Sequence, residues 1–272
     1  MNERHLLECN VVNMVREIRS EAPGIGAYKI FLILRDIYRN KMMGRDRFYD
    51  LMHRKGLMLS PSRRRHTTNS NHNYRKYKNL VRNFTPTAPG QLWVADITYI
   101  ETDEGVCYLH HIDDAFTHEI IGWTVSESLM ASHTLSALQQ AVEQAAGLDL
   151  SFLIHHSDRG SQYCCNEYIK CLKELGARIS MTEDSNPTDN AIAERVNGII
   201  KQEWLYKMKR PGNTEQARTL IDRIVDFYNN RRPHMSNGMR TPAQMRKVYD
   251  ALFGGLAPPA AQANLPGVFH NI

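Results

Sequence analysis

Apolar positions in the first third of the chain recur every three or four residues, which predicts helices over 11–22 and 26–39. In the second of these, Ile30, Phe31, Leu34, Ile37 and Tyr38 form one stripe. Gly44 interrupts the pattern. It resumes over 45–55, with Phe48, Leu51 and Met52 turned inward and Arg45, Arg47, Arg54 and Lys55 outward. Two short helices around a glycine-containing turn fit a helix-turn-helix slightly better than a plain helical hairpin. From Gln91 the period drops to two, and 92–100, 106–112 and 120–126 read as strands of an antiparallel meander. A helix carrying Leu135, Leu138 and Val142 follows over 131–146. Beyond it come a strand at 152–156, a helix at 166–175 and a strand at 178–181, then helices over 188–207 and 213–230. This order predicts an α/β protein, a mixed sheet flanked by helices, preceded by a small helical domain.

Composition adds a division of charge. Residues 1–90 hold 18 Lys and Arg against 7 Asp and Glu, whereas the remainder holds 16 against 22. A basic front on an acidic body suggests that the front meets a polyanion. Residues 60–90 are basic and polar, with tyrosines between the charges, and read as a linker. Its Arg63, Arg64, Arg65, Arg75, Lys76, Lys78 and Arg82 suit contacts along phosphates, each of which would release counterions. The expected organisation is a helix-turn-helix-like DNA-binding domain at 1–59, the linker at 60–90, a catalytic core at 91–210, a helical extension at 211–254 and an unstructured tail at 255–272. The five cysteines contain no CxxC pair, which argues for reduced thiols in a cytosolic protein and against a Cys-ligated zinc. No apolar run approaches the length of a membrane span, and the N-terminus lacks the apolar stretch of a signal peptide.

Three carboxylates stand where carboxylates are costly. Asp96 lies midway along the first strand, on the face of Leu92, Val94, Thr98 and Ile100, while Trp93, Ala95, Ile97 and Tyr99 cover the other. A bare carboxylate there must have its pKa raised or find a cation. Asp158 ends the fourth strand within HHSDRGSQY, on the face of His156; His155 points to the other side, and Gly160 turns the chain away. If the first and fourth strands are neighbours, the two aspartates approach each other, and hard oxygen donors suit Mg²⁺ or Mn²⁺. Glu194 shares a helix face with Asn190, Asn197 and Lys201, opposite Ile192, Val196, Ile199 and Ile200. Taken singly, each acid also fits a structural role or a solvated face.

The combination is more specific. With 35 residues between Asp158 and Glu194, HSDRGSQY around the second acid and PTDNAIAER around the third, the sequence resembles insertion-sequence transposases of the two-reading-frame kind. The likeness is to their second-frame product, which carries a retroviral-integrase-like DDE core. GIGAYKIFLILRD…GRDRFYDLMHRKGL resembles that family's accessory helix-turn-helix, LWVADITYI its first catalytic strand, and YNNRRPHMSNGMRTPAQ its closing motif.

The resemblance implies an RNase H-like fold in which Asp96, Asp158 and Glu194 bind two divalent ions, Mg²⁺ or Mn²⁺, and catalyse DNA cleavage and strand transfer at the element's ends. Lys201 matches a basic position that approaches substrate DNA, and Asn190 and His156 match positions beside the acids. Arg231, Arg232 and His234 are plausible DNA contacts. Implied partners are the terminal inverted repeats, target DNA, further copies of the chain on DNA, and the first-frame product or a fusion with it, in the cytoplasm of a bacterium at its nucleoid. Alternatives are a phage or retroviral-type integrase, disfavoured by the missing His-His-Cys-Cys module, a DNA-binding regulator with an inactive core, and a nuclease of RNA–DNA hybrids.

Overall fold

Three helices open the chain: α1 (Glu3–Glu21), α2 (Ala27–Tyr38) and α3 (Arg45–Arg54). The computed structural model describes residues 3–60, 77–148, 150–183 and 190–253. Arg63, Arg64, Arg65, Arg75 and Lys76, and the tail from residue 254, lie outside them. After the linker come β1 (Leu92–Thr102), β2 (Gly105–Asp114), β3 (Ile120–Ser126), α4 (Ala131–Gln144), β4 (Ile154–Ser157), α5 (Asn166–Glu174), β5 (Arg178–Met181), α6 (Ala191–Ile200), α7 (Thr214–Asn230) and α8 (Pro242–Phe253).

The five strands form one mixed sheet in the order β3-β2-β1-β4-β5. The meander β1–β2–β3 is antiparallel, while β4 and β5 run parallel to β1. Alternation along β1 and β2 sends side chains to two different cores. On one face Trp93, Ala95 and Ile112 pack with Leu138 and Ala141 of α4 and with Tyr168 and Leu172 of α5. The approach of α4 is close: a Cβ at Gly122 would stand 2.1 Å from the carbonyl oxygen of Ala137. On the other face Ile100 and Leu109 join Val196 and Ile200 of α6, Ile221 and Phe227 of α7, and Ile18, Ile30 and Leu34 of the first two helices. This is an RNase H-like arrangement, a mixed sheet between helical layers with a helical N-terminal region.

The N-terminal helices share that second core and are also bonded to it. Gly24 N–H donates to the Glu203 carbonyl at 2.8 Å, and Trp204 Nε1–H donates to the Glu21 carbonyl at 2.8 Å. At the β5 edge of the sheet Leu80 N–H donates to Ser180 Oγ and Asn79 N–H to Glu183, both at 2.9 Å, and Val81 and Phe84 pack with Leu92, Val94 and Ile154.

Several expectations change. The first helix begins at Glu3, well before residue 11. Ile37, placed in the α2 stripe, is exposed, because the stripe meets its neighbours through Ile30, Phe31 and Leu34. The fourth strand begins at Ile154: Phe152 sits exposed in a turn closed by Leu153 N–H to the Leu150 carbonyl. The helix expected over 188–207 is described from Ala191 and ends at Ile200. Its continuation, Lys201–Leu205, is a π-helical turn, a widening of the backbone that often marks functional sites. Helix α8 adds an element that the pattern did not separate out.

Candidate active site

Asp96 lies on β1 opposite His111 of β2. Across the other seam, Val94 pairs with His156 in parallel register, so two residues further on Asp158 comes level with Asp96. The expected neighbourhood of strands one and four is therefore observed. Asp96 points to the face covered by α6, where Asn197 reaches its carboxylate, and Asp158 stands near enough to repel it. The turn after β4 tucks over Asp158, whose Oδ1 accepts from Gly160 N–H at 2.9 Å. A Cβ at Gly160 would stand 2.8 Å from Gln162 Oε1, the end of a flexible side chain, and 3.0 Å from Asp158 Oδ1.

Helix α6 brings the third acid. Glu194 occupies its first turn and is exposed, where a negative charge is favoured by the helix dipole. Asn190, at the helix start, donates from Nδ2 to the Ala95 carbonyl at 3.2 Å, which ties that start to β1 one residue before Asp96.

Electrostatics link the three acids. The Asp96 carboxyl is pushed up to about 6, first by burial and then by Asp158 and Glu194, with His111 opposing. Glu194 is also raised, by partial desolvation of its carboxyl. Mutual repulsion among hard oxygen donors is what a divalent cation offsets, so the donor chemistry suits Mg²⁺ or Mn²⁺. Among the described residues, no three His, Cys, Asp or Glu side chains are grouped closely enough to hold an ion.

Lys201 begins the π turn. Its Nζ lies 4.2 Å from the centre of the Tyr99 ring, and burial lowers its pKa while Asp96 pulls the other way. A groove of about 510 Å³ opens beside it, lined by Tyr99, Glu101, Lys201, Lys207 and Arg210 among others. Arg210 pairs with Glu101 in that lining at 2.7 Å, and Lys201 and Lys207 are its other cations.

The other predicted residues are engaged as follows. His156 Nδ1 is 2.8 Å from Ser180 Oγ, inside the sheet. His155 faces α5, 2.9 Å from the Tyr168 hydroxyl, and burial holds it down to about 3. Arg45 pairs with Asp46, and Arg47 and Arg54 both pair with Glu8 of α1. Arg232 is buried and donates to Glu203 from Nε at 2.8 Å and Nη2 at 2.7 Å, so its guanidinium faces the interior. His234 lies beside it, 3.1 Å from Nη1, and Arg231 pairs with Glu21.

Two residues escape a reading of the sequence, and a third receives no role from it. His111 and Asp113 are buried on the Asp96 face, 3.0 Å apart at Nδ1 and Oδ2. Asn197, one helical turn after Glu194, donates from Nδ2 to Asp96 Oδ2 at 2.7 Å, and its Oδ1 is 2.9 Å from His111 Nε2. The available signal was HHIDD, a run of titratable residues inside an otherwise alternating strand.

Comparison with known proteins agrees with this geometry. Two family models, both described as integrase core domain, match residues 86–187 and 175–242. The chain is 39% identical over 213 residues to a 31 kDa protein of insertion element IS600 from Shigella sonnei, covering 76% of each chain. It is 31% identical over 230 residues to the transposase of insertion sequence element IS904 from Lactococcus lactis, covering 82% of this chain and 87% of that one. Other transposases it matches are spanned to 63% or 57% of their length. Among solved structures, a simian T-cell lymphotropic virus intasome in complex with the PP2A regulatory subunit B56 gamma shares the fold. Its TM-score is 0.52 at 16% identity, over 93% of this chain and 80% of that one. With an integrase core in this register and relatives of this identity across most of its length, the chain belongs to the insertion-sequence transposases.

Proposed function

We propose that this chain catalyses metal-dependent DNA cleavage and strand transfer at the ends of an insertion sequence, with Asp96, Asp158 and Glu194 as ligands of two Mg²⁺ or Mn²⁺ ions. The observation that carries the reading is the position of Asp96. It is a desolvated carboxylate, level with Asp158 across the parallel seam and repelled by both other acids. Asp96, Asp158 and Glu194 would hold the ions, which would supply activation of a water or a DNA 3′-hydroxyl and stabilisation of the leaving oxygen in an in-line phosphodiester displacement. The chain's own residues do the rest. The three carboxylates would hold the ions on one side of the scissile phosphate, and Lys201 and Lys207 neutralise the strand along the adjacent groove.

The remaining assignments belong to the same proposal. His156 and Asn190 support the acids from the sheet and the helix start. Arg45, Arg47 and the linker residues Arg63, Arg64, Arg65, Arg75 and Lys76 supply the basic front that meets terminal repeats and target DNA. Residues 1–59, 60–90, 91–210 and 211–254 act as DNA-binding helices, linker, core and extension. The protein works as a homo-oligomer on DNA, with the first-frame product or a fusion to it as a partner, at the nucleoid of a bacterial cytoplasm.

The test uses labelled duplexes ending in the element's terminal repeats, with and without Mg²⁺, beside an RNA–DNA hybrid. Alanine at Asp96, Asp158 or Glu194 is expected to abolish strand transfer and leave DNA retention unchanged. Full activity in any one variant, or hydrolysis of the hybrid alone, overturns the assignment.

A further inference from the structure

Asp96 is held by more than its own strand. Its Oδ1 accepts from Ile97 N–H at 2.9 Å, and its Oδ2 accepts from Asn197 Nδ2 at 2.7 Å. The Asn197 amide has one sensible orientation, because a flip would set its carbonyl oxygen against the carboxylate. With the amide oxygen then facing His111 Nε2 at 2.9 Å, that nitrogen must carry hydrogen. His111 Nδ1 in turn sits 3.0 and 3.2 Å from the two oxygens of Asp113. One proton lies between ring and carboxylate, and the pair is net neutral whichever atom holds it. Donors therefore run in one direction, from Asp113 and His111 through Asn197 to Asp96.

The chain is assembled from three elements. His111 is level with Asp96 on the adjacent strand, and Asp113 is two residues further along β2 on the same face. Asn197 comes from α6, the helix that also carries Glu194. His111 and Asp113 are 1% and 0% exposed, and Asn197 is 9% exposed. Burying an aspartate and a histidine costs more than an apolar pair of the same size would. A network that costs stability and ends on the central acid of the site is one kept for that acid.

We propose that Asp113, His111 and Asn197 form a positioning relay that fixes the rotamer of Asp96 for metal binding and ties it to the helix bearing Glu194. The inference rests on the metal-site reading of Asp96 given above. Hydrogen-bond partners of this kind typically change metal affinity or activity by about 10–100-fold when removed.

The experiment measures Mn²⁺ affinity by calorimetry on the full chain, together with the kcat and KM of strand transfer. The variants are Asp96→Ala, Asn197→Ala, His111→Phe, Asp113→Asn and the double variant Asn197→Ala with His111→Phe. Each relay variant is expected to lose about 10–100-fold in Mn²⁺ affinity and in kcat, with KM for DNA unchanged. Because the chain acts through Asn197, His111→Phe should add little once Asn197→Ala is present. A purely structural trio would lower thermal stability and leave Mn²⁺ affinity within about twofold, and that result overturns the relay. If His111→Phe or Asp113→Asn fails to fold, Asn197→Ala decides alone, since it removes only a terminal amide at the edge of the core. Unchanged Mn²⁺ affinity in Asp96→Ala would overturn the metal-site reading itself, and the relay with it; that outcome is distinct from a failure of the relay variants alone.

Discussion

Arg232 meets Glu203 through two parallel hydrogen bonds in the interior, and Lys29 of α2 reaches the same carboxylate from the other side at 2.9 Å. Burial pushes Glu203 up, but Arg232 and Lys29 outweigh it and hold the carboxyl below its usual range. One side chain thus joins the N-terminal helices, the turn after α6 and the segment after α7. Helix α6 carries Glu194, so this joint also steadies the candidate site from behind.

Removing one partner of a buried pair leaves a charge without compensation, which typically costs about 3–5 kcal/mol. Arg232→Ala is expected near the lower end, because Lys29 remains. Glu203→Gln is expected to cost more, because it strands two cations. The depressed carboxyl also sets a pH dependence. Its stabilisation is complete above the unfolded carboxylate pKa and is lost as pH falls through the lower folded value. Urea unfolding of both variants at pH 7, and of the parent chain from pH 6 down to 3, checks magnitude and sign.

Glycine positions give effects of opposite sign. A Cβ at Gly24 would stand 2.5 Å from Glu203 Cα and 2.8 Å from two carbonyl oxygens, all backbone. Gly24→Ala must therefore push the N-terminal helices off the π turn, at a cost of about 1–3 kcal/mol or more. Gly198, within α6, has nothing within 4 Å of the same construction. Gly198→Ala should stabilise by about 0.4–1 kcal/mol through helix propensity and a less flexible unfolded chain. Denaturant midpoints of the two variants should move in opposite directions.

Asp96 works against stability in the metal-free protein. Its folded pKa of about 6 is above the unfolded value near 3.8, so the folded state binds more protons between them. Stability from this group is present at low pH and is lost as pH rises through about 6. Asp96→Asn should abolish strand transfer yet stabilise the metal-free chain at pH 7 by about 1–3 kcal/mol, since each pKa unit is worth about 1.4 kcal/mol. The gain should shrink by pH 5. Melting curves at both pH values test it.

Buried histidines oppose that trend. His110 is held down to about 4 by burial, with Thr134 and Ser126 hydroxyls on its ring nitrogens at 2.9 and 3.0 Å. His155 is held to about 3. Each stays neutral in the fold while the unfolded ring titrates near 6.5. Stability is then full above that pH and falls as the solution acidifies, by up to about 1.4 kcal/mol per pH unit for each ring. His155→Gln should flatten the slope between pH 6 and 4 in a urea series; an unchanged slope counts against the assignment.

The strands, most of the helices and the face of each acid were legible in the sequence, because those depend on local periodicity. Trp93 and Ala95 against Val94 and Asp96 is alternation of period two, and it survives folding intact. Phe152 and Ile37 were misplaced for a single reason. Hydrophobicity marks a candidate for burial, but a turn and a stripe's outer edge expose side chains that periodicity counts as inward.

The charged residues divide differently. Asp96, Asp158 and Glu194 could be singled out because carboxylates in apolar surroundings are costly, and that cost is visible in one dimension. What each polar group faces is not. Asn197 meets His111 across 86 positions of sequence and Asp96 across 101, and Arg232 meets Glu203 across 29. Arginines that look alike in the sequence end at an internal carboxylate, at Glu8 or at the surface according to where the helices pack. By itself, the sequence determined which residues are too costly to be incidental and the order of elements that carries them. The tertiary structure alone decided their partners, because hydrogen bonds and desolvation depend on distances that only packing sets.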